Sequence, residues 1–238
     1  MDGEDQTPPI ALPQLVLVAV FVTALITAQV TASKVVAFDL PFSMPLTETE
    51  LLVPAAVFAY AVTFLASDCY TELFGKRAAQ SLVNVAFAMN LLLLVLIWVA
   101  ILAPPFEGSP VGQEPFATTL GASTGIVAGS LLAYLVSQHW DIIVFHRLRE
   151  HTAGKFLWLR NVASTATSQL LDTVIFIGIA FVLFQGLPLG DAIALAIGQY
   201  LVKLGLVVFD TPFVYLAVGG IRRYQRRELT HSTGSAKP

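Results

Sequence analysis

Charge is what this chain of 238 residues has least of. Only 12% of its residues are Asp, Glu, Lys or Arg, whereas 56% are hydrophobic, and mean hydropathy is +0.75. A soluble domain carries about 25% charged residues, so a water-soluble globule is excluded and the chain reads as an integral membrane protein. Cysteine is almost missing: the single Cys69 rules out an internal disulfide and a thiolate metal site. Histidine is scarce, and His139, His146 and His151 lack ligand-like spacing and acidic partners on one helix face, so neither a metal site nor a cofactor is expected. No phosphate-cradling glycine loop or dinucleotide fingerprint occurs. No nucleophile–base pattern marks an enzyme. The opening MDGEDQTPP has no basic n-region, and the apolar run behind it exceeds a signal h-region, so a retained first span is expected.

Long apolar runs are what the chain does have. A hydrocarbon core of about 30 Å takes roughly 20 residues of helix, and six segments qualify: 13–34, 51–70, 78–103, 116–139, 160–185 and 190–218. Breakers separate them: Pro41 and Pro45, Gly75, Pro104 with Pro105, Gly154, and Gly186 with Pro188. The expected fold is therefore all-α, a six-transmembrane-helix bundle forming one domain over 13–220. A short disordered tail is expected over 1–12 and a basic cytoplasmic tail over 221–238.

Lys and Arg placement sets the orientation. Lys76, Arg77, Arg147, Arg149, Lys155, Arg160, Arg222, Arg223, Arg226, Arg227 and Lys237 fall on one side. The opposite side holds Lys34 alone, and Lys203 lies within the sixth segment. Under the positive-inside rule both termini are cytoplasmic. The segment DIIVFHRLRE, 141–150, alternates apolar and basic residues and is expected to lie along the inner membrane surface.

Polar groups inside apolar helices then single out a site, because a charge at mid-membrane costs about 2.5–3.5 kcal/mol on insertion scales. In the fifth segment Asn161, Thr165, Ser168 and Asp172 recur at helical spacing, flanked by Ser164 and Gln169. This stripe predicts a cavity wall open toward the cytoplasm, with Asp172 near the midplane. The second segment ends with Asp68 and Glu72 four apart, at a helix C-terminus whose dipole disfavours them. Lys76 is a candidate partner for Glu72, Arg160 for Asp68, and Gly75 for a left-handed cap. The sixth segment places Lys203 and Asp210 roughly on one face, ahead of Pro212. Stripes of small residues, Gly121, Gly125, Gly129, Ala133 and Ser137 in the fourth segment and Ala24, Ala28 and Ala32 in the first, read as packing seams. Gln29 is the one large polar group of the first segment.

The stretches VTFLASDCYTELFGKRAAQ, FLWLRNVASTATSQLLDTVIFIGIAF and YLVKLGLVVFDTPFVYL, with Lys34 closing the first segment, resemble the queuosine-precursor transporters, also called the vitamin-uptake transporter family. The resemblance runs from about residue 20 to residue 220. It departs at TAS, 31–33, where the family carries an asparagine. It implies a six-helix plasma-membrane importer of 7-deazaguanines, such as the 7-cyano and 7-aminomethyl compounds salvaged into tRNA. The expected partners are that small molecule and membrane lipids, not nucleic acid, with self-association left open. A carboxylate can accept the N1–H and 2-amino donors of a guanine-like edge, and an amide can donate to O6. Asp172 with Gln169, or Glu72 with Asn161, would supply that set, beside Ser168. Asp68, Arg160, Lys203, Asp210 and Lys34 are assigned to gating or coupling. Phe64, Tyr70, Phe74 and Phe176 are the aromatics nearest in sequence to the carboxylates. The competing readings are a substrate-binding subunit of a multi-component importer and, from another class, a membrane-embedded enzyme.

Overall fold

A computed structural model describes residues 12–44, 48–152 and 157–234. Residues 1–11 of the tail expected over 1–12, Lys155 and Lys237 lie outside these, as do the side chains of Lys76, Arg149, Arg160, Asn161, Asp210, Arg226 and Arg227. The described chain is mostly helical: α1 Leu12–Thr31, α2 Val57–Phe74, α3 Lys76–Leu102, α4 Gln113–His151, α5 Leu157–Ile177, a π-helical turn Gly178–Leu183, and α6 Leu189–Gly234.

Two strands correct the all-α expectation. β1 Val35–Met44 pairs antiparallel with β2 Glu48–Pro54 between α1 and α2. Val35 faces Pro54 and Asp39 faces Glu50, and the register slips between Asp39 and Met44, around Pro41, which has no N–H to give. The expected span 51–70 thus starts too early. Its first residues, LLVP, belong to β2, and the helix begins only at Val57. Apolar content alone cannot separate a buried strand from the helix that follows it.

Among the described residues, five helical segments are long and apolar enough to cross a membrane: Leu12–Thr31, Arg77–Leu102, Gln113–Leu148, Val162–Leu183 and Leu189–Leu206. α2 does not reach that apolarity, because its 18 residues include Tyr60, Thr63, Ser67, Asp68, Tyr70, Thr71 and Glu72. The segment 141–150 is not a separate surface helix; it continues α4 to His151 without a break. The basic segment after residue 220 likewise continues α6, as helix to Gly234, with Pro212 inside.

The buried core is built of small residues and the outer surface of large ones, as lipid solvent requires. Ala28, Ala32, Ala56, Ala133 and Ala180 are buried with Ile126, Phe176 and Phe181, whereas Leu92, Val95, Leu96 and Val99 of α3 are exposed. The small stripe of α4 is occupied from within. A Cβ at Gly125 would strike the Phe184 ring, and one at Gly129 would lie 3.2 Å from the Phe176 carbonyl oxygen. Gly198 of α6 lets the Leu52 carbonyl of β2 sit where a Cβ would otherwise be. Gly75 joins α2 to α3 as a single residue at φ 84 and ψ 166, its N–H donating to the Thr71 carbonyl. That is a conformation confined to glycine, but not the left-handed helical cap expected of it.

Candidate functional site

All six helices line one cavity of about 360 Å³, at the lower end of the roughly 300–1,000 Å³ typical of small-ligand sites. Each helix contributes residues at helical spacing, which put one face toward the cavity. Phe21, Leu25 and Gln29 come from α1; Tyr60, Thr63, Phe64 and Ser67 from α2; Ala86, Phe87 and Asn90 from α3. α4 supplies Ser130, Tyr134 and Gln138, α5 supplies Gln169, Asp172 and Phe176, and α6 supplies Gln199 and Lys203.

The electrostatic centre of this wall is an ion pair. Lys203 Nζ lies 2.6 Å from Asp172 Oδ2, with side-chain exposures of 13% and 23%. Lys203 also donates to Thr173 Oγ1 at 3.3 Å, and Ser137 donates to Asp172 Oδ1 at 3.5 Å. Thr173 is fully buried and donates in turn to the Gln169 carbonyl at 2.8 Å. Tyr200 ties α6 to α5 through the Ala166 carbonyl at 3.2 Å. Asp172 and Lys203 are the only charged residues among the described lining, so the wall is close to neutral although it is polar.

The other sequence-predicted residues are distributed differently. Of the α5 stripe, Gln169 and Asp172 line the cavity. Ser168 is buried instead against α4, donating to Asp141 Oδ1 at 3.3 Å, and Thr165 is exposed. Asn161 and Arg160 lie outside the described side chains, so neither the Glu72–Asn161 set nor the Asp68–Arg160 pair can be placed. Glu72 does not reach the cavity; its Oε1 meets Arg222 Nη2 at 2.9 Å, with both side chains more than half exposed. Asp68 is exposed on the same helix and is likewise not part of the cavity lining. Lys34 sits at the base of the hairpin, its carbonyl accepting from Ala55 N at 2.7 Å. Lys203 takes Asp172 as its partner, where sequence spacing offered Asp210, whose side chain is not described. Of the four aromatics, Phe64 and Phe176 line the cavity; Tyr70 and Phe74 pack instead in a second core cluster with Phe21, Leu82 and Ala86.

The sequence reading passed over Asn90, Gln138 and Gln199, and it noted Gln29 without assigning it a role. The available signal was a single large amide in an otherwise apolar stretch, as in AFAMNLLLL and AIGQYLV.

A family model described as "putative vitamin uptake transporter" matches residues 54–217. The chain is similar to the "probable queuosine precursor transporter" of Bacillus subtilis (strain 168), 33% identical over 160 residues, which are 66% of this chain and 68% of that one. It is also similar to the "queuosine precursor transporter" of Escherichia coli (strain K12), 32% identical over 124 residues, 52% of this chain and 53% of that one. A third relative, a "probable queuosine precursor transporter" of Haemophilus influenzae, is 31% identical over 120 residues and matched over 47% of its length. No solved structure matches the chain significantly.

Proposed function

The chain belongs to the vitamin uptake transporter family, and from that premise we propose that it is a plasma-membrane importer of queuosine precursors, 7-deazaguanines of the 7-cyano type. The observation that carries this reading is the cavity: a polar, nearly neutral chamber enclosed by all six helices, with the Asp172–Lys203 pair in its wall. Charged side chains within spanning segments are costly and face a partner or a water-filled cavity, and a solute that must shed water on crossing needs polar groups there.

In this reading α2 is the sixth span. Its 18 residues reach about 27 Å at 1.5 Å per residue, and its Tyr60, Thr63 and Ser67 turn to the cavity. Both termini are cytoplasmic. The Glu72–Arg222 contact supports this by holding the C-terminal end of α2 and the basic segment of α6 at one end of the bundle. Asp172 accepts the ligand's N1–H and Gln169 donates to its O6, and Phe64 and Phe176 offer faces for its rings. Lys203 stays paired with Asp172 while the ligand is bound. Glu72 with Arg222 is an exposed, salt-sensitive contact at the cytoplasmic end, suited to breaking and reforming as access alternates.

The single-chain importer is favoured over a subunit that docks a partner through small-residue stripes. The stripe of α4 is already filled by Phe184, Phe176 and Ala180, and Ala24, Ala28 and Ala32 of α1 are buried. The test is uptake of labelled 7-cyano-7-deazaguanine by cells unable to make it. Wild type restores uptake, and Asp172→Asn lowers it at least tenfold at matched membrane abundance. Normal uptake by Asp172→Asn would remove that carboxylate from the account.

A further inference from the structure

The cavity wall contains polar atoms that the protein does not satisfy. Among the described residues, three amide atoms, Gln29 Nε2, Asn90 Oδ1 and Gln199 Oε1, have no hydrogen-bond partner, and neither does Ser123 Oγ outside the cavity lining. The three amide residues are 1%, 2% and 7% exposed, come from α1, α3 and α6, and line the same cavity. Gln29 is held only at its other end, where Oε1 accepts from Ser130 Oγ at 3.4 Å. A buried amide atom without a partner is destabilising, and an apolar side chain of the same shape would be neutral or better. Three such atoms around one chamber therefore point to a ligand that completes them. Rotating an amide plane exchanges its nitrogen and oxygen, so each can meet either a donor or an acceptor.

Charge narrows the ligand further. Asp172 and Lys203 already neutralise each other across 2.6 Å. A carboxylate ligand at Lys203, or a cation at Asp172, would add a desolvated charge that no other described lining residue neutralises. A neutral ligand satisfies the amides and leaves the pair intact.

We infer that Gln29, Asn90 and Gln199 form the specificity face of this cavity, each completing its hydrogen bonds on a donor or acceptor of the bound heterocycle. The inference rests on the transport reading of the cavity and adds to it the groups that choose the substrate.

The experiment compares 7-cyano-7-deazaguanine with its analogue lacking the 2-amino group, as competitors for uptake by the full chain and by the near-isosteric variants Gln29→Met, Asn90→Leu and Gln199→Met. Wild type prefers the parent compound by about tenfold, the scale of lost hydrogen bonds that leave a buried partner unmatched. Asn90→Leu or Gln199→Met brings that ratio to within about twofold, while thermal stability of the purified protein stays level or rises. A ratio unchanged in all three variants, or no preference in wild type, overturns the inference. If wild type takes up no 7-deazaguanine at all, the transport reading fails, and thermal shift of the purified chain then decides the amides. Stabilisation by guanine that Asn90→Leu abolishes upholds them; stabilisation by nicotinate alone, or by neither compound, overturns them.

Discussion

At the scale of single residues, the account turns on Asp172 and Lys203. Each is mostly buried and each is the other's counter-ion, so removing one leaves a charge without a partner. Asp172→Asn or Lys203→Met should each cost about 2–3 kcal/mol, somewhat below the 3–5 kcal/mol of a fully buried pair. The double variant Asp172→Leu with Lys203→Met should regain most of that stability in detergent melts while remaining inactive in uptake. Recovery of uptake by the double variant would make the pair a structural device only. Asp172 was legible in the sequence because a carboxylate inside an apolar helix is conspicuous on energetic grounds alone. Its partner was not, because 31 residues and a helix reversal separate the two, and spacing along one helix pointed to Asp210 instead. The amides were harder still. An amide costs less in an apolar helix than a charge does, so an isolated Asn90 or Gln199 did not stand out until the fold brought three of them around one chamber.

At the scale of elements, two glycines set how close the pieces come. Gly198 brings α6 onto the backbone of β2 at Leu52, with no room for a methyl group. Gly198→Ala should therefore push the hairpin off α6 and destabilise the protein by about 1–3 kcal/mol, as overpacking does; a melt at the wild-type temperature would contradict that packing. Gly75 makes the one-residue joint between α2 and α3 at a φ of 84. Gly75→Ala should cost about 1–3 kcal/mol through backbone strain alone, since nothing lies within 4 Å of a Cβ built there. That the same variant melts normally would show the joint to be relaxed. Helix positions were readable from apolar period and from breakers such as Gly75, Pro104 and Gly186. The hairpin was not, because LLVPAAVF joins strand and helix in one apolar run and only Pro54 marks the change. The lengths of α4 and α6 were also missed. Basic residues end an apolar run, but they do not end a helix, so hydropathy stopped both helices well before their backbones do.

At the scale of the whole molecule, a small-residue core, a large-residue exterior and a polar chamber lined by all six helices describe a membrane protein built around a solute path. The side of the membrane each end faces can be read by labelling. Native Cys69 is 1% exposed and gives little background, so a cysteine introduced at Glu107 should react with a membrane-impermeant maleimide added to intact cells, and one at Arg223 only after lysis. The reverse pattern would invert the orientation. The central claim, that this chain by itself carries a 7-deazaguanine through the Asp172 chamber, is tested most directly in liposomes holding only the purified protein. Labelled 7-cyano-7-deazaguanine should enter saturably, unlabelled compound should compete, and Asp172→Asn liposomes should match empty ones. Uptake by wild-type liposomes no greater than that of protein-free liposomes would contradict the account.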